Sequence, residues 1–221
     1  MRKVLILESS TEHGSIAVVI DGRVAADVAF AARDHVTGER TESLAPSVSR
    51  AMTDAGIRPH ELSAVVCSGG PGGFTSLRAA AAVAKGICFA VGVPLYSVSS
   101  LAVLAWSAVP YAGSYVAAIA AGRNEWFAAP FAVSSDGVVA IGPECISADA
   151  ALRSAAVRDG ARLVGDGLEV QAVPRAAAIA AHLALIETTG EVDLDAWEPA
   201  YGRLAEAQVK WEAAHGRPLS A

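Results

Sequence analysis

At 221 residues, 53% hydrophobic and 18% charged, the chain can bury a substantial core in one or two compact domains, and a disordered composition is excluded. A net charge of −6, with no Lys or Arg cluster longer than a pair, excludes an independent nucleic-acid-binding module, because phosphate neutralisation supplies most non-specific affinity. Cys67, Cys88 and Cys145 are far apart and apolar in context, which excludes a disulfide framework and predicts buried free thiols.

Residues 3–7 read as a continuous apolar strand, followed by the polar turn Glu8-Ser9-Ser10-Thr11-Glu12-His13-Gly14 and a second strand over 15–20. Asp21-Gly22 closes a hairpin into a third strand over 24–30. By itself Glu8 reads as a solvated turn carboxylate. The apolar run 4–7 is too short for a signal peptide, so a cytoplasmic protein is expected. After a polar connection over 31–40 comes a helix with Leu44, Val48, Ala51, Met52 and Ala55 spaced for one face. Pro46 must lie in its first turn, which starts the helix near Thr41 or Glu42, and Gly56 ends it.

The richest stretch is 64–101. The strand Ala64-Val65-Val66-Cys67 runs into Ser68-Gly69-Gly70-Pro71-Gly72-Gly73-Phe74, where glycines at a strand-to-helix junction make a turn. That turn has two readings: backbone N–H groups at a helix N-terminus suit an anion, and glycines also let helix and strand approach closely. It matches neither a Walker A loop nor G-x-G-x-x-G. In the following helix, 77–91, a stripe of Leu77, Ala80, Ala81, Ala84, Cys88 and Val91 is flanked by the further apolar residues Ala79, Val83, Gly86, Ile87 and Phe89. The helix is therefore expected to be covered on nearly every side, through a central position or a partner subunit. No residue from Gly86 to Gly122 is charged, yet Gly92, Pro94, Pro110, Gly113 and five serines interrupt the run, so no membrane span is expected. Residues 94–98 read as a strand, and Ser99-Ser100 caps a helix to about 108.

The first unit then recurs: a strand over 115–119, the turn Ala120-Ala121-Gly122-Arg123-Asn124, a strand over 125–133, and Asp136-Gly137 before a strand over 138–141. This parallel predicts an internal duplication. A helix near 149–158, a strand over 162–164, the turn Gly165-Asp166-Gly167, a helix near 175–186 and a closing segment 197–203 complete the chain.

The run from Gly70 to Arg78, with Ala84-Lys85-Gly86 and Val98-Ser99-Ser100-Leu101, resembles the signature of the bacterial TsaB (YeaZ) family. The family pattern G-P-G-S-F-T-G-[VL]-R differs at Gly73 and Ser76, and Pro199-Ala200-Tyr201-Gly202-Arg203 resembles its P-x-Y-L-R ending with Gly202 in place of Leu. The resemblance implies an α/β fold of two duplicated actin-like ATPase (ASKHA, RNase H-like) subdomains, 1–104 and 105–221, with mixed sheets flanked by helices and the last helix packing back on the first. In that fold the opening strand, hydroxyl-rich turn and strand hold phosphate, which makes Ser9, Ser10, Thr11, Gly70, Gly72 and Gly73 the candidate nucleotide contacts. An Asp ending the first strand helps place a metal ion there, whereas this chain has Glu8, and Ala120 stands where a second acidic residue would face it. The glycoprotease relatives carry an H-x-x-x-H metal pair; none of His13, His35, His60, His182 and His215 is spaced for one, and they read as surface residues. No metal site and no catalytic residue are expected.

By resemblance the chain is a non-catalytic subunit that pairs with a TsaD-like catalytic subunit and a TsaE-like ATPase, so that threonylcarbamoyl passes to N6 of adenosine 37 in tRNA. It would carry no cofactor of its own, with ATP or ADP only within the complex, would meet tRNA only through the complex, and would have a homodimer open to it when alone. Leu44, Val48, Met52, Ala79, Val83 and Gly86 are the expected partner surface. Two other functions compete: an independent nucleotide-binding kinase or ATPase on the same fold, and a glycoprotease-type metallopeptidase.

Overall fold

The computed structural model describes residues 2–31, 44–108, 111–135, 137–202 and 215. Two mixed sheets carry it. The first contains β1 (Lys3–Glu8), β2 (His13–Ile20), β3 (Arg23–Ala31), β4 (Ala64–Ser68) and β5 (Leu95–Val98), in the order β3-β2-β1-β4-β5. β1, β4 and β5 run parallel, and β2 and β3 are antiparallel hairpin strands. β1 is apolar without alternation because both of its faces are covered. Asp21 (φ 48°) and Gly22 (φ 78°) make the tight turn between β2 and β3.

The second sheet contains β6 (Gly113–Gly122), β7 (Glu125–Ser134), β8 (Gly137–Ala140), β9 (Cys145–Ala148), β10 (Arg162–Gly165) and β11 (Val170–Gln171). Its order is β11-β10-β6-β7-β8, with β9 also on β7. Strand for strand, β8-β7-β6-β10-β11 repeats β3-β2-β1-β4-β5 with the same senses of pairing. The duplication expected from the recurring turns is thus present in topology.

Among the described residues five α-helices flank the sheets: α1 (Leu44–Asp54), α2 (Phe74–Val91), α3 (Ser100–Ala108), α4 (Asp149–Arg158) and α5 (Leu183–Thr188). α1 and α2 cover one face of the first sheet, where Val48, Ala51 and Met52 meet Leu5, Leu7, Val65 and Cys67. The other face is covered from far along the chain: Ala176, Ile179, Leu183 and Ile186 pack on Val4, Ile6, Ala17 and Val19. α3 lies between the halves, with Val103 in that layer and Leu101, Leu104 and Ala105 on the second sheet. The expected division after residue 104 falls inside this helix.

Several expectations are corrected. The single helix near 175–186 is a 3-10 segment, Ala176–His182, followed by α5. Ala176 and Ile179 are both fully buried three residues apart, a spacing the 3-10 period aligns, and the Ala176 N–H donates to Ser15 Oγ at 2.8 Å. His182 at its end is half-buried and stacks on Trp106 with ring centroids 4.0 Å apart, so it is not a plain surface histidine. β9, β11 and a short 3-10 turn at Pro59–Glu61 were not foreseen. Cys145 is exposed because it lies on β9 at the sheet edge; Cys67 and Cys88 are buried as expected. The start of the first helix near residue 41 and the Asp136 position lie outside the described residues. Of the two ways expected to cover α2, the central position is not the one the fold provides, since one face stays open within the chain. Leu77, Ala80, Ala81, Ala84 and Cys88 are buried, while Thr75, Ala79, Ala82, Gly86, Phe89 and Ala90 are exposed. α2 has the length and hydropathy of a membrane span, and its buried face packs on the first sheet.

Candidate functional site

The carboxyl ends of β1 and β4 and the turns that follow them form one wall of a cleft of about 380 Å3; β6, β7 and the turn after β10 form the other. Such strand ends are where open α/β sheets place ligands. Ser10, Thr11, His13 and Gly73 line the first wall, and Ala120, Trp126 and Asp166 the second. A further hollow of about 400 Å3 shares His13, Asp166 and Val173 and extends towards Arg175.

Glu8 closes β1 with no exposed surface, which corrects its reading as a solvated turn carboxylate. Its Oε1 accepts from the Ser10 N–H at 2.7 Å and from Ser10 Oγ at 2.5 Å. Oε2 and Ser68 Oγ are each buried without a hydrogen bond of good geometry, although Ser68 follows Cys67, the partner of Leu7 across β1 and β4, and its hydroxyl is near enough to influence the Glu8 carboxyl. Burial, the largest influence, pushes the Glu8 carboxyl up from its ordinary value, and the Ser10 hydrogen bonds, with a smaller contribution from the Ser68 hydroxyl, oppose it. Burial likewise pushes the Cys67 thiol up, with the nearby Glu8 charge adding to it, and raises Cys88 to about 11, so neither is a thiolate nucleophile at neutral pH.

The glycine turn is woven into its surroundings. The Gly69 N–H donates to Val98 O at 2.8 Å, the Gly73 N–H to Ser10 O at 2.8 Å, and Gly69 O accepts from the Ala200 N–H at 2.7 Å. A Cβ at position 72 would sit 2.3 Å from Ser10 O, and one at 70 would sit 2.2 Å from Ala200 O. Only at Gly73 is there room, the nearest atom lying 3.7 Å away. The turn therefore needs glycine for close approach at 70 and 72. Of the expected phosphate contacts, Ser10, Thr11 and Gly73 reach the cleft, while Ser9, Gly70 and Gly72 are buried behind it.

The expected partner surface divides in two. Val48 and Met52, each 6% exposed, face the chain's own sheet, and Leu44 and Val83 pack partly against the same core, so these four do not present a free face. For the three on α1 the reason is that its apolar stripe lies on the first sheet, and Val83 on α2 is partly packed against the same core. Ala79 and Gly86 are exposed, on a stripe with Thr75, Ala82 and Phe89. Phe89 is 86% exposed, an unusual cost for a large aromatic side chain. The steps from Thr75 to Ala79, Ala82, Gly86 and Phe89 are those of one helix face and could have been read from spacing. Asp166 and Trp126 were also missed. The duplication could have found Asp166, since Gly165-Asp166-Gly167 follows β10 as the glycine turn follows β4.

At the far end of the turn, Tyr201 packs its ring on Phe74 (4.6 Å) and the Arg78 guanidinium lies 5.2 Å from the Phe74 ring centre. Lys85 Nζ donates to Trp197 O at 2.8 Å. The closing segment is thereby fastened to α2; Arg203 lies outside the described residues. Among the described residues no group of three His, Cys, Asp or Glu side chains could hold a metal ion.

Residues 29–189 match the family model described as TsaD: tRNA N6-adenosine threonylcarbamoyltransferase. Over 92% of the chain and the whole of the other, the fold superposes with a TM-score of 0.72, at 26% identity, on a Pseudomonas aeruginosa protein described as uncharacterised with similarity to peptidase YeaZ. The chain belongs to the TsaD family, within its TsaB (YeaZ) group. A solved YeaZ from Pseudomonas aeruginosa gives a TM-score of 0.71 at 25% identity, over 91% of this chain and all of that one. In sequence, the chain is 31% identical over 124 residues to the tRNA threonylcarbamoyladenosine biosynthesis protein TsaB of Haemophilus influenzae, 55% of this chain and 50% of that protein. It is 28% identical over 138 residues to the TsaB of Escherichia coli, 62% of this chain and 58% of the other. The chain thus spans about half the length of these TsaB relatives in sequence. Its two mixed sheets flanked by helices are those of the actin-like ATPase fold.

Proposed function

We propose that this chain is a non-catalytic subunit in the biosynthesis of threonylcarbamoyladenosine in tRNA. It docks on a TsaD-like catalytic subunit and, with a TsaE-like ATPase, supports transfer of threonylcarbamoyl to N6 of adenosine 37. The reading rests on membership of the TsaB group and on one observation: the uncharged stripe Ala79, Ala82, Gly86 and Phe89 left open on α2. Small residues at one-turn spacing let a partner helix approach closely, and Phe89 supplies an aromatic anchor. The same stripe is open to self-pairing when the protein is alone. With a net charge of −6 the chain meets tRNA through its partners, in the cytoplasm.

A non-catalytic role accords with the chemistry of the cleft, where Glu8 is buried against Ser10 and the Ser10 and Thr11 hydroxyls are engaged within the chain. The test is co-purification with a TsaD-like subunit from the same cell. Ala82→Glu should abolish the complex, because a charge buried without a partner in the contact goes uncompensated, while the thermal midpoint of the variant alone stays at that of the parent. Wild-type co-purification by Ala82→Glu would move the interface elsewhere, and threonylcarbamoyl transfer by the isolated chain would end the non-catalytic reading.

A further inference from the structure

Charge on α2 is sparse and unevenly used. The helix holds two charged side chains, Arg78 and Lys85. Lys85 is half-buried and donates to Trp197 O at 2.8 Å, so its charge serves the chain itself. Arg78 is exposed and forms no ion pair among the described residues. Its guanidinium lies 5.2 Å from the ring centre of Phe74, one turn earlier, and Tyr201 packs on the same ring with centroids 4.6 Å apart. The Ala200 N–H, bonded to Gly69 O at 2.7 Å, holds Tyr201 in place from the closing segment. The cation is thus ordered over a braced aromatic face before any partner arrives, and a side chain already ordered loses less freedom on binding. Burial and then Glu198 push the Tyr201 pKa up and Arg78 opposes them, yet no ion pair joins Glu198 to Arg78.

Helical spacing sets Arg78 between Phe74 and Ala82, each four residues away, so it borders the open stripe of Thr75, Ala79, Ala82, Gly86 and Phe89. None of those five is charged. A molecule that covers the stripe also strips water from Arg78, and a desolvated cation without an anion is costly. The planar fork of arginine matches a carboxylate through two parallel N–H donors. An RNA phosphate suits the place less well, because one arginine beside an uncharged stripe, on a chain of net charge −6, neutralises too little of a nucleic acid.

We propose that Arg78 is the charged anchor of the α2 face and that the catalytic subunit docking there presents a carboxylate to it. The proposal rests on the partner reading above and adds the chemistry by which that partner is selected.

The test is calorimetry of the full chain with the TsaD-like subunit of the same cell, at low and high salt, beside Ala82→Glu. Arg78→Ala should weaken the complex about tenfold and Arg78→Glu about a hundredfold at low salt. The difference between parent and Arg78→Ala should shrink at high salt, and both free variants should keep the parent's thermal midpoint, since Arg78 is exposed. The same reversal at the exposed Arg158 of α4 should change the affinity by less than about twofold. Parent-like binding by Arg78→Glu, where Ala82→Glu abolishes the complex, overturns this proposal and leaves the partner reading standing; parent-like binding by both removes the face and the proposal together. An equal loss for Arg158→Glu reduces the effect to overall charge and overturns the proposal too. So does a loss of tRNA binding by the Arg78→Glu chain alone, which assigns the arginine to phosphate. A parent homodimer that Arg78→Glu dissolves, with the complex unchanged, assigns it instead to a carboxylate of a second copy and is equally fatal.

Discussion

Glu8 shows how a single carboxyl changes meaning with burial. In the folded chain desolvation holds its pKa above 4.5, while in the unfolded chain it titrates near that value. A raised acid contributes stability that is complete below the unfolded pKa and is lost as pH rises through the folded one. Urea denaturation at pH 5, 7 and 9 should therefore show the parent losing stability with rising pH, and Glu8→Gln should remove that part of the slope. The amide can still accept from Ser10 while offering an N–H to Ser68 Oγ, so Glu8→Gln should match or exceed the parent at pH 9. Glu8→Ala instead leaves the Ser10 donors buried and unmatched, at about 1–3 kcal/mol. The glycines make a second contrast. Gly72→Ala drives a methyl towards Ser10 O and should cost about 1–3 kcal/mol, whereas Gly73→Ser has room and places a capping hydroxyl at the start of α2, for a gain of a few tenths of a kcal/mol, about 0.3. Chemical denaturation of the two variants side by side would read the difference.

Among the elements, α2 carries the decisive pattern. Its composition is apolar almost all round, yet the stripe read from its spacing, Leu77, Ala80, Ala81, Ala84 and Cys88, is the face the sheet takes. The buried set Leu77, Ala80, Ala84 and Cys88 is that face, which assigns Ala82, Gly86 and Phe89 to the outside. Gly86 gives the element its own test, because a Cβ there meets nothing within 4 Å in this chain. Gly86→Ala should stabilise the isolated protein by about 0.5–1 kcal/mol through helix propensity, and Gly86→Leu should weaken association with the TsaD-like partner by filling the space a close helix needs. Unchanged association for Gly86→Leu would show that no helix approaches closely at this point. α1 followed its pattern simply: its one apolar stripe, Val48, Ala51 and Met52, lies on the first sheet.

At the scale of the whole molecule, the two halves repeat each other in topology but do not stand apart. The first sheet's second face is closed by Ala176, Ile179, Leu183 and Ile186, and α3 serves both sheets. The segment that follows crosses back over the first half, with the Val192 N–H on Leu95 O at 2.9 Å and the Ala200 N–H on Gly69 O at 2.7 Å. Arg175 bridges to Asp27 at 2.8 Å, and Ser99 Oγ bonds Glu144 across the halves. A fragment of residues 1–104 should therefore lack a cooperative thermal transition, because Val4, Ile6, Ala17 and Val19 would face water at roughly 1.5–3 kcal/mol for each large side chain left uncovered. Calorimetry of the fragment against the full chain checks this, and a sharp transition in the fragment would make the first half an independent domain.

The local signals in this sequence determined what local physics controls. Alternation and continuous apolar runs placed nearly all the strands, Asp21-Gly22 and Gly56 marked a turn and a helix end where the backbone takes positive φ, and the recurrence of strand, turn and strand announced the duplication. Short edge pieces such as β9 and β11 escaped because two to four residues carry no period, and exist only through pairing with β7 and β10. The site was legible in part: Ser10, Thr11 and Gly73 were on the page, but not that their hydrogen bonds turn inward. Tertiary structure alone decided that Glu8 is buried, that Val48 and Met52 face inward, that a 3-10 segment from the second half of the chain closes the first sheet, and that Asp166 and Trp126 face Ser10 across a cleft. Each of these depends on contacts between residues far apart in sequence, where burial and pairing outweigh the local propensities that a sequence displays.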